Sequence, residues 1–206
     1  MNATPWRRIA TLTATLLLLA ACITAPTPSI PLPKVSGAQV LYVIDPAHTY
    51  PHFGVSHLDL STLRGRFNKT SGWIVLDREA HSGSMTVVID VDSIDTGDPV
   101  LEQRLRAPDF FDTESYPTMT FRSSKLQFQG EALVGVDGEL TIRDVTRPVS
   151  LTVTSFRCAP LPLIRVEACG VNAEARIQRA DFGISIYPSM IGAEIELSLP
   201  IEAHRR

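Results

Sequence analysis

Three histidines fall close together at His48, His52 and His57, and imidazole is both a common metal ligand and the usual general base near neutral pH. Their spacing argues against a shared metal ion. On one extended strand positions 52 and 57 face opposite sides, because side chains alternate with period two. No HExxH-type helix accompanies them. No metal and no cofactor is therefore expected. His48 stands beside a turn and His57 on the face of Phe53 and Val55, so both read as hydrogen-bonding groups of a pocket rim or a core. As a general base, either would lack a partner nucleophile or paired carboxylate, and there is no GxSxG elbow. Asp109, Asp112 and Glu114 lie in a polar turn region where capping and solvation account for them. The chain reads as a binding protein, not an enzyme. Arg104 and Arg106 can either meet a lipid phosphate or carboxylate through charge-assisted hydrogen bonds or lie along apolar surface.

The cysteines carry different chemistry. Cys158 and Cys169 bracket Pro160 and Pro162 at a turn, so two antiparallel strands would set them nearly opposite each other. An exported chain meets an oxidising compartment, and a hairpin disulfide is expected. Closing so short a loop contributes roughly 2–3 kcal/mol. Export itself is read from residues 1–21, a secretory signal with Arg7 and Arg8 ahead of an apolar run. The run ends Leu19-Ala20-Ala21-Cys22, which resembles a bacterial lipoprotein signal. That resemblance implies acylation of Cys22 and attachment to a membrane, and Ile23 in place of an aspartate implies the outer one. The expected location is the periplasm, anchored as a lipoprotein. Residues 22–38 carry Pro26, Pro28, Pro31 and Pro33, the composition of a semi-rigid tether.

The elements that would position these residues are mostly strands. Apolar alternation marks residues 40–45, 52–57, 64–67, 72–77, 85–91, 118–129, 138–143, 149–158, 167–179 and 193–203, with turn residues between them. Strands at hairpin-like intervals argue for an antiparallel sandwich or barrel. One helix interrupts them. Asp98-Pro99 is an N-cap and first-position pair, which predicts a short helix over 99–106. Phe110 and Phe111 follow it, and Tyr116-Pro117 returns the chain to extended backbone. Adjacent residues of an extended chain point apart, so one of the two rings is expected to enter the barrel mouth and the other to pack outside. Of 206 residues 44% are hydrophobic, enough for a sizeable core, and a net charge of −3 gives no reason to expect nucleic acid. One domain over 39–206 is expected.

Several short patterns occur in order: Tyr42-x-Ile44-Asp45-x-x-His48, Phe53-x-Val55-x-His57, Gly65-x-Phe67, Ser93-Ile94-Asp95-Thr96, Asp109-Phe110-Phe111-Asp112, Gly138-x-Leu140-Thr141-Ile142-Arg143 and Arg179-x-Asp181-Phe182-Gly183. Together they resemble the YceI-like, polyisoprenoid-binding family over about residues 40–202. The resemblance implies an all-β fold, a lipocalin-like antiparallel barrel of about eight strands around an apolar cavity. It also implies a polyisoprenoid or other long amphiphile as ligand. Two positions depart from the family pattern. Arg104-Leu105 stands where His-Leu is usual, which implies a more anionic head group. Arg143-Asp144 stands where glycine is commoner.

The residues expected to face inward are Phe53, Val55, Val87, Ile89, Phe121, Leu140, Ile142, Leu151, Val153, Ile195 and Leu197, with His57, Arg104, Phe110 and Phe111 nearer the ligand's end. The same set would serve a lined cavity or a filled core, so a structural or stress-protecting envelope protein stands as the alternative. Burying one isoprene unit would contribute roughly 3–4 kcal/mol, so a chain of several units would bind tightly without any catalytic residue.

Overall fold

The computed structural model describes residues 30–162 and 165–206. The expected signal segment, Cys22 and the first part of the expected tether lie outside the described residues. From residue 40 onward the chain forms β1 (Val40–Ile44), β2 (His52–His57), β3 (Ser61–Phe67), β4 (Thr70–Asp77), β5 (Ser82–Asp90) and a two-residue β6 (Ile94–Asp95). Helix α1 (Pro99–Arg106) comes next, then β7 (Thr118–Gln129), β8 (Ala132–Ile142), β9 (Val145–Pro160), β10 (Glu167–Gln178) and β11 (Ile191–Arg205).

All neighbouring strands are antiparallel, and they run in the order β1-β4-β5-β7-β8-β9-β10-β11, with β1 pairing back onto β11 to close a ring of 8 strands. A closed ring leaves no exposed edge. The remaining strands β2, β3 and β6 branch from β11. The branch arises because β11 changes partner along its length. Ile195–Ser198 faces β2, whereas Ala203–Arg205 faces β1. The chain crosses from one partner to the other through residues 45–51. Buried Thr49 fixes that crossing: its hydroxyl donates to Glu202 O at 3.2 Å and accepts from Glu202 N at 3.1 Å.

Helix α1 starts and stops where its capping residues direct. The Asp98 carboxylate accepts from Val100 N at 2.9 Å, satisfying a backbone donor that the first helical turn leaves open. Pro99 sits at the first position, where its missing N–H is not needed. Beyond Ala107 the chain folds into tight turns held by Phe110 N to Ala107 O at 2.9 Å and Tyr116 N to Asp112 O at 2.8 Å, with Asp112 at a φ of 50°.

Six strands, β3, β4, β5, β8, β9 and β11, extend beyond the bounds that alternation marks, β8 and β9 the furthest. β8 begins at Ala132, where Gly135 and Gly138 weaken the apolar rhythm. β9 takes in Pro148, which sits opposite Glu139. The core divides into a large cluster between β5, β7–β11 and the branch strands, and a small one of Tyr42, Leu76, Cys169 and Ala203. The small cluster occupies the end of the barrel that carries the β4–β5 turn.

Candidate functional site

The large cluster is not solid. It encloses an apolar cavity of about 330 Å³. Phe53, Val55 and His57 of β2 line it from one side, and Val87, Ile89, Phe121, Leu140, Ile142 and Leu151 from the β5–β9 wall. Ile195 and Leu197 of β11 line it from the closing strand. Along β5, β7, β8 and β9 the lining residues fall at every second position, as on a pleated wall, whereas β2 also brings His52 and Ser56 to the rim. Two rings reach inward by lying across glycines of the adjoining strand. A Cβ at Gly65 would stand 2.4 Å from Phe53 Cζ, and one at Gly138 would stand 2.4 Å from Phe121 Cζ. Glycine at those two positions is therefore part of how the cavity wall is built.

Three expectations need correction. Val153 packs on the core but lies beyond the cavity, toward the filled end. Arg104 is not in the lining either. Its guanidinium is paired with Asp109, donates to Tyr187 Oη at 3.0 Å, and lies 5.5 Å from the Phe110 ring centroid. Asp109 and Tyr187 hold that guanidinium outside the cavity wall, so Arg104 meets the site through the Tyr187 hydroxyl and not as a lining residue. Phe110 and Phe111 both line the cavity. The backbone there is turn, not strand, so neighbouring side chains need not diverge. Phe110 reaches Tyr187 at 6.4 Å between ring centroids, and Phe111 meets Phe67 edge-on at 6.0 Å.

Other lining residues were legible only in part. Met119 shares the face of Phe121 two residues on, a period-two signal. Phe182, Ile184, Tyr187 and Met190 come from the connection between β10 and β11, where no periodicity marks them. Arg179 holds that connection in place. It is 7% exposed, and its guanidinium donates to the carbonyls of Gly192 at 2.9 Å, Ile184 at 3.1 Å and Ile191 at 3.1 Å. Burial pushes its pKa below the ordinary arginine value.

The cavity end carries most of the exposed large apolar side chains among the described residues. Leu60 is 83% exposed and Val100 76%, and Leu58, Tyr187 and Met190 are each about half exposed. Leu58 N donates to Met190 O at 2.8 Å, so the β2–β3 turn and the connection before β11 form one lip.

The opposite end is polar outside and filled within. Cys158 and Cys169 face each other in the β9–β10 register and are joined by a disulfide. Arg78 Nη2 donates to Glu167 Oε1 at 2.6 Å and to Tyr42 Oη at 3.1 Å, while Tyr42 Oη donates to Glu167 Oε2 at 3.0 Å. Burial, and then the Glu167 contact, raise the Tyr42 pKa above 10.0. Burial alone would raise that of Glu167, but its bonds from Arg78 and Tyr42 outweigh this and hold it below 4.5. Of the three clustered histidines, His52 and His57 border the cavity, whereas His48 turns away to Asp45 at 2.6 Å. In the turn at Arg143-Asp144, Arg143 adopts a φ of 57°, the left-handed region that glycine enters freely.

A closed antiparallel ring around an apolar cavity, with one short helix beside it, defines the lipocalin-like class of barrels. Residues 42–203 match the model of the YceI-like domain, and the chain belongs to that family. A UPF0312 protein of Vibrio campbellii is 34% identical over 161 residues, covering 77% of this chain and 85% of that one. A UPF0312 protein of Pseudomonas aeruginosa is 31% identical over 160 residues, covering 77% and 83%. Among solved structures, Burkholderia cenocepacia BcnA superposes with a TM-score of 0.66 at 23% identity, covering 77% of this chain and 98% of that one. A polyisoprenoid binding domain from Saccharophagus degradans, implicated in plant cell wall breakdown, superposes with a TM-score of 0.61 at 19% identity, covering 81% and 99%. At these identities the two structures speak to the fold.

Proposed function

We propose that this protein holds a polyisoprenoid or similar long amphiphile in its barrel, for transport, storage or sequestration, and performs no chemistry on it. The observation that carries this reading is the cavity of about 330 Å³ walled by aliphatic and aromatic side chains. Such a space favours hydrocarbon, each buried methylene contributing about 0.8 kcal/mol. The YceI-like family and the polyisoprenoid binding domain among its structural relatives support the same ligand class. A cavity of this size also weighs against the filled-core alternative. The ligand enters past the lip of Leu58, Leu60, Tyr187 and Met190, where apolar side chains already meet solvent.

The test is titration of the delipidated full chain with polyprenols of increasing length, read by displacement of an apolar fluorophore. Affinity rising with length until the cavity is full supports the reading. Weak binding independent of length would sink it. In the same reading, acylated Cys22 anchors the protein to a membrane facing the periplasm. Two or more acyl chains give stable attachment where one gives only marginal binding. Cys22→Ala then moves the protein to the soluble fraction, and wild type already soluble there would contradict the anchor.

A further inference from the structure

The junction where β11 changes partner carries a cluster that the lipid reading does not use. Asp45 leaves the end of β1, His48 follows in the crossing segment, and Glu202 and His204 project from alternate positions of β11. His48 Nδ1 lies 2.6 Å from Asp45 Oδ2, and His204 Nε2 lies 3.5 Å from the same oxygen. Ligand atoms of Asp45, His48 and Glu202 all fall within 4.8 Å of one another. Two imidazoles thus converge on one carboxylate oxygen from segments far apart in sequence, with a second carboxylate beside them. Asp45 is set rigidly: its own N–H donates to Glu202 O at 2.9 Å, and its Oδ1 accepts from Ala47 N at 3.0 Å. Its side chain is 13% exposed, whereas that of His48 is 63% exposed and free to adjust.

We infer that Asp45, His48, Glu202 and His204 form a binding site for a divalent transition-metal ion, with Zn2+ the best match. Two neutral imidazoles and two carboxylates are a borderline-soft set that suits zinc in tetrahedral geometry, at about 2.0–2.2 Å per ligand. His204 reaches Asp45 but stands outside the 4.8 Å group of the other three, so completing the tetrahedron takes rotation of His204 as well as of the surface side chains of His48 and Glu202. The ion would join the crossing segment to β11 across the seam where the first and last strands close the ring. That seam is short, with only Tyr42, Val43 and Ile44 of β1 registered on β11. A metal bound by the folded chain alone stabilises it by mass action, so the site would act as a clasp on ring closure. The clasp does not depend on what the cavity holds.

The experiment uses the metal-free full chain with free thiols alkylated, titrated with Zn2+ by calorimetry and melted with and without one equivalent. One equivalent bound and a raised Tm are expected for wild type. Replacing the first-contact ligands singly in His48→Ala and His204→Ala should weaken Zn2+ binding by about tenfold or more and abolish the Tm rise. His81→Ala, at a surface histidine elsewhere, should change neither. Co2+ should give the intense visible absorption of a tetrahedral site in wild type and lose it in His204→Ala. Absence of stoichiometric Zn2+ binding in wild type, or binding unaltered in both variants, would mean that the cluster is an Asp–His hydrogen-bond set only.

Discussion

The two ends of the barrel share their walls and differ in what fills them. Strands β7 to β11 run through both. At one end Tyr42, Leu76, Ala203 and the Cys158–Cys169 bridge close the interior, and Arg78, Glu167 and Arg205 seal it outside. At the other end the same strands present Val87, Phe121, Leu140 and Ile195 to an open cavity, and cover comes from α1 and the 184–190 connection rather than from the strands. The filled end behaves as an ordinary core, where density is high and every methylene counts. The hollow end leaves apolar surface without protein partners, a condition that a bound hydrocarbon chain relieves. One sheet can therefore keep its ring rigid at one end and its interior available at the other.

Substitutions that remove or add volume should separate the ends. The largest expected effect is Tyr42→Ala, which opens the filled end and strands Arg78 and Glu167. It should destabilise by about 3–5 kcal/mol, the range for large aromatic truncations, while the molecules that remain folded bind lipid as before. Denaturant unfolding and lipid titration check the two halves of that statement. Next is loss of the bridge. Cys158→Ala with Cys169→Ala should cost roughly 2–3 kcal/mol, by the loop-entropy argument, with lipid binding again unchanged. Ala203→Leu is smaller, about 1–3 kcal/mol for overpacking a site that is 0% exposed. Phe110→Ala at the hollow end should cost less than the roughly 3–5 kcal/mol of a fully packed ring, because one side of the ring faces open space, yet it should weaken lipid retention.

Much of this contrast could be read from the residues before the fold was known. Period-two alternation placed Phe53, Val87, Ile89, Phe121, Leu140 and Ile195 on one face each, and the ring turns those faces into a wall. The Asp98-Pro99 pair located α1 to the residue. Alternation could not say whether the wall was lined or filled, because the volume left between facing side chains depends on strand tilt and register. It also missed every lining residue of the 182–190 connection, since those are placed by Arg179 and its three carbonyl contacts, not by a repeat. The pairing of Phe110 with Phe111 failed for the same reason: turn backbone does not obey strand alternation. The cluster of Asp45 and His48 with Glu202 and His204 was hidden by distance along the chain, which only the closing seam removes.

The smallest expected effect concerns pH and the outer surface. Asp137 on β8 is held down to about 2 by its bonds from Lys125, Ser150 and Gln127. A depressed carboxylate stabilises the fold above its ordinary value of 3.8 and loses that contribution as pH falls through about 2. Asp137→Asn should therefore melt slightly lower than wild type at neutral pH, and the gap should vanish on acidification to about 2. A gap that persists unchanged at low pH would assign the effect to shape instead of charge.

The most direct test of the hollow end is a native mass spectrum of Val87→Phe beside wild type, both purified from a bacterial envelope. Val87 is 5% exposed and faces the cavity, so a phenyl ring there has space to occupy, unlike the added methylenes of Ala203→Leu. Wild type should carry a prenyl-lipid mass and Val87→Phe should not, with the variant melting at or above the delipidated wild type. A wild type without ligand that also refuses added polyprenols, or a Val87→Phe that retains the full lipid mass, would contradict the assignment of the cavity as the binding site.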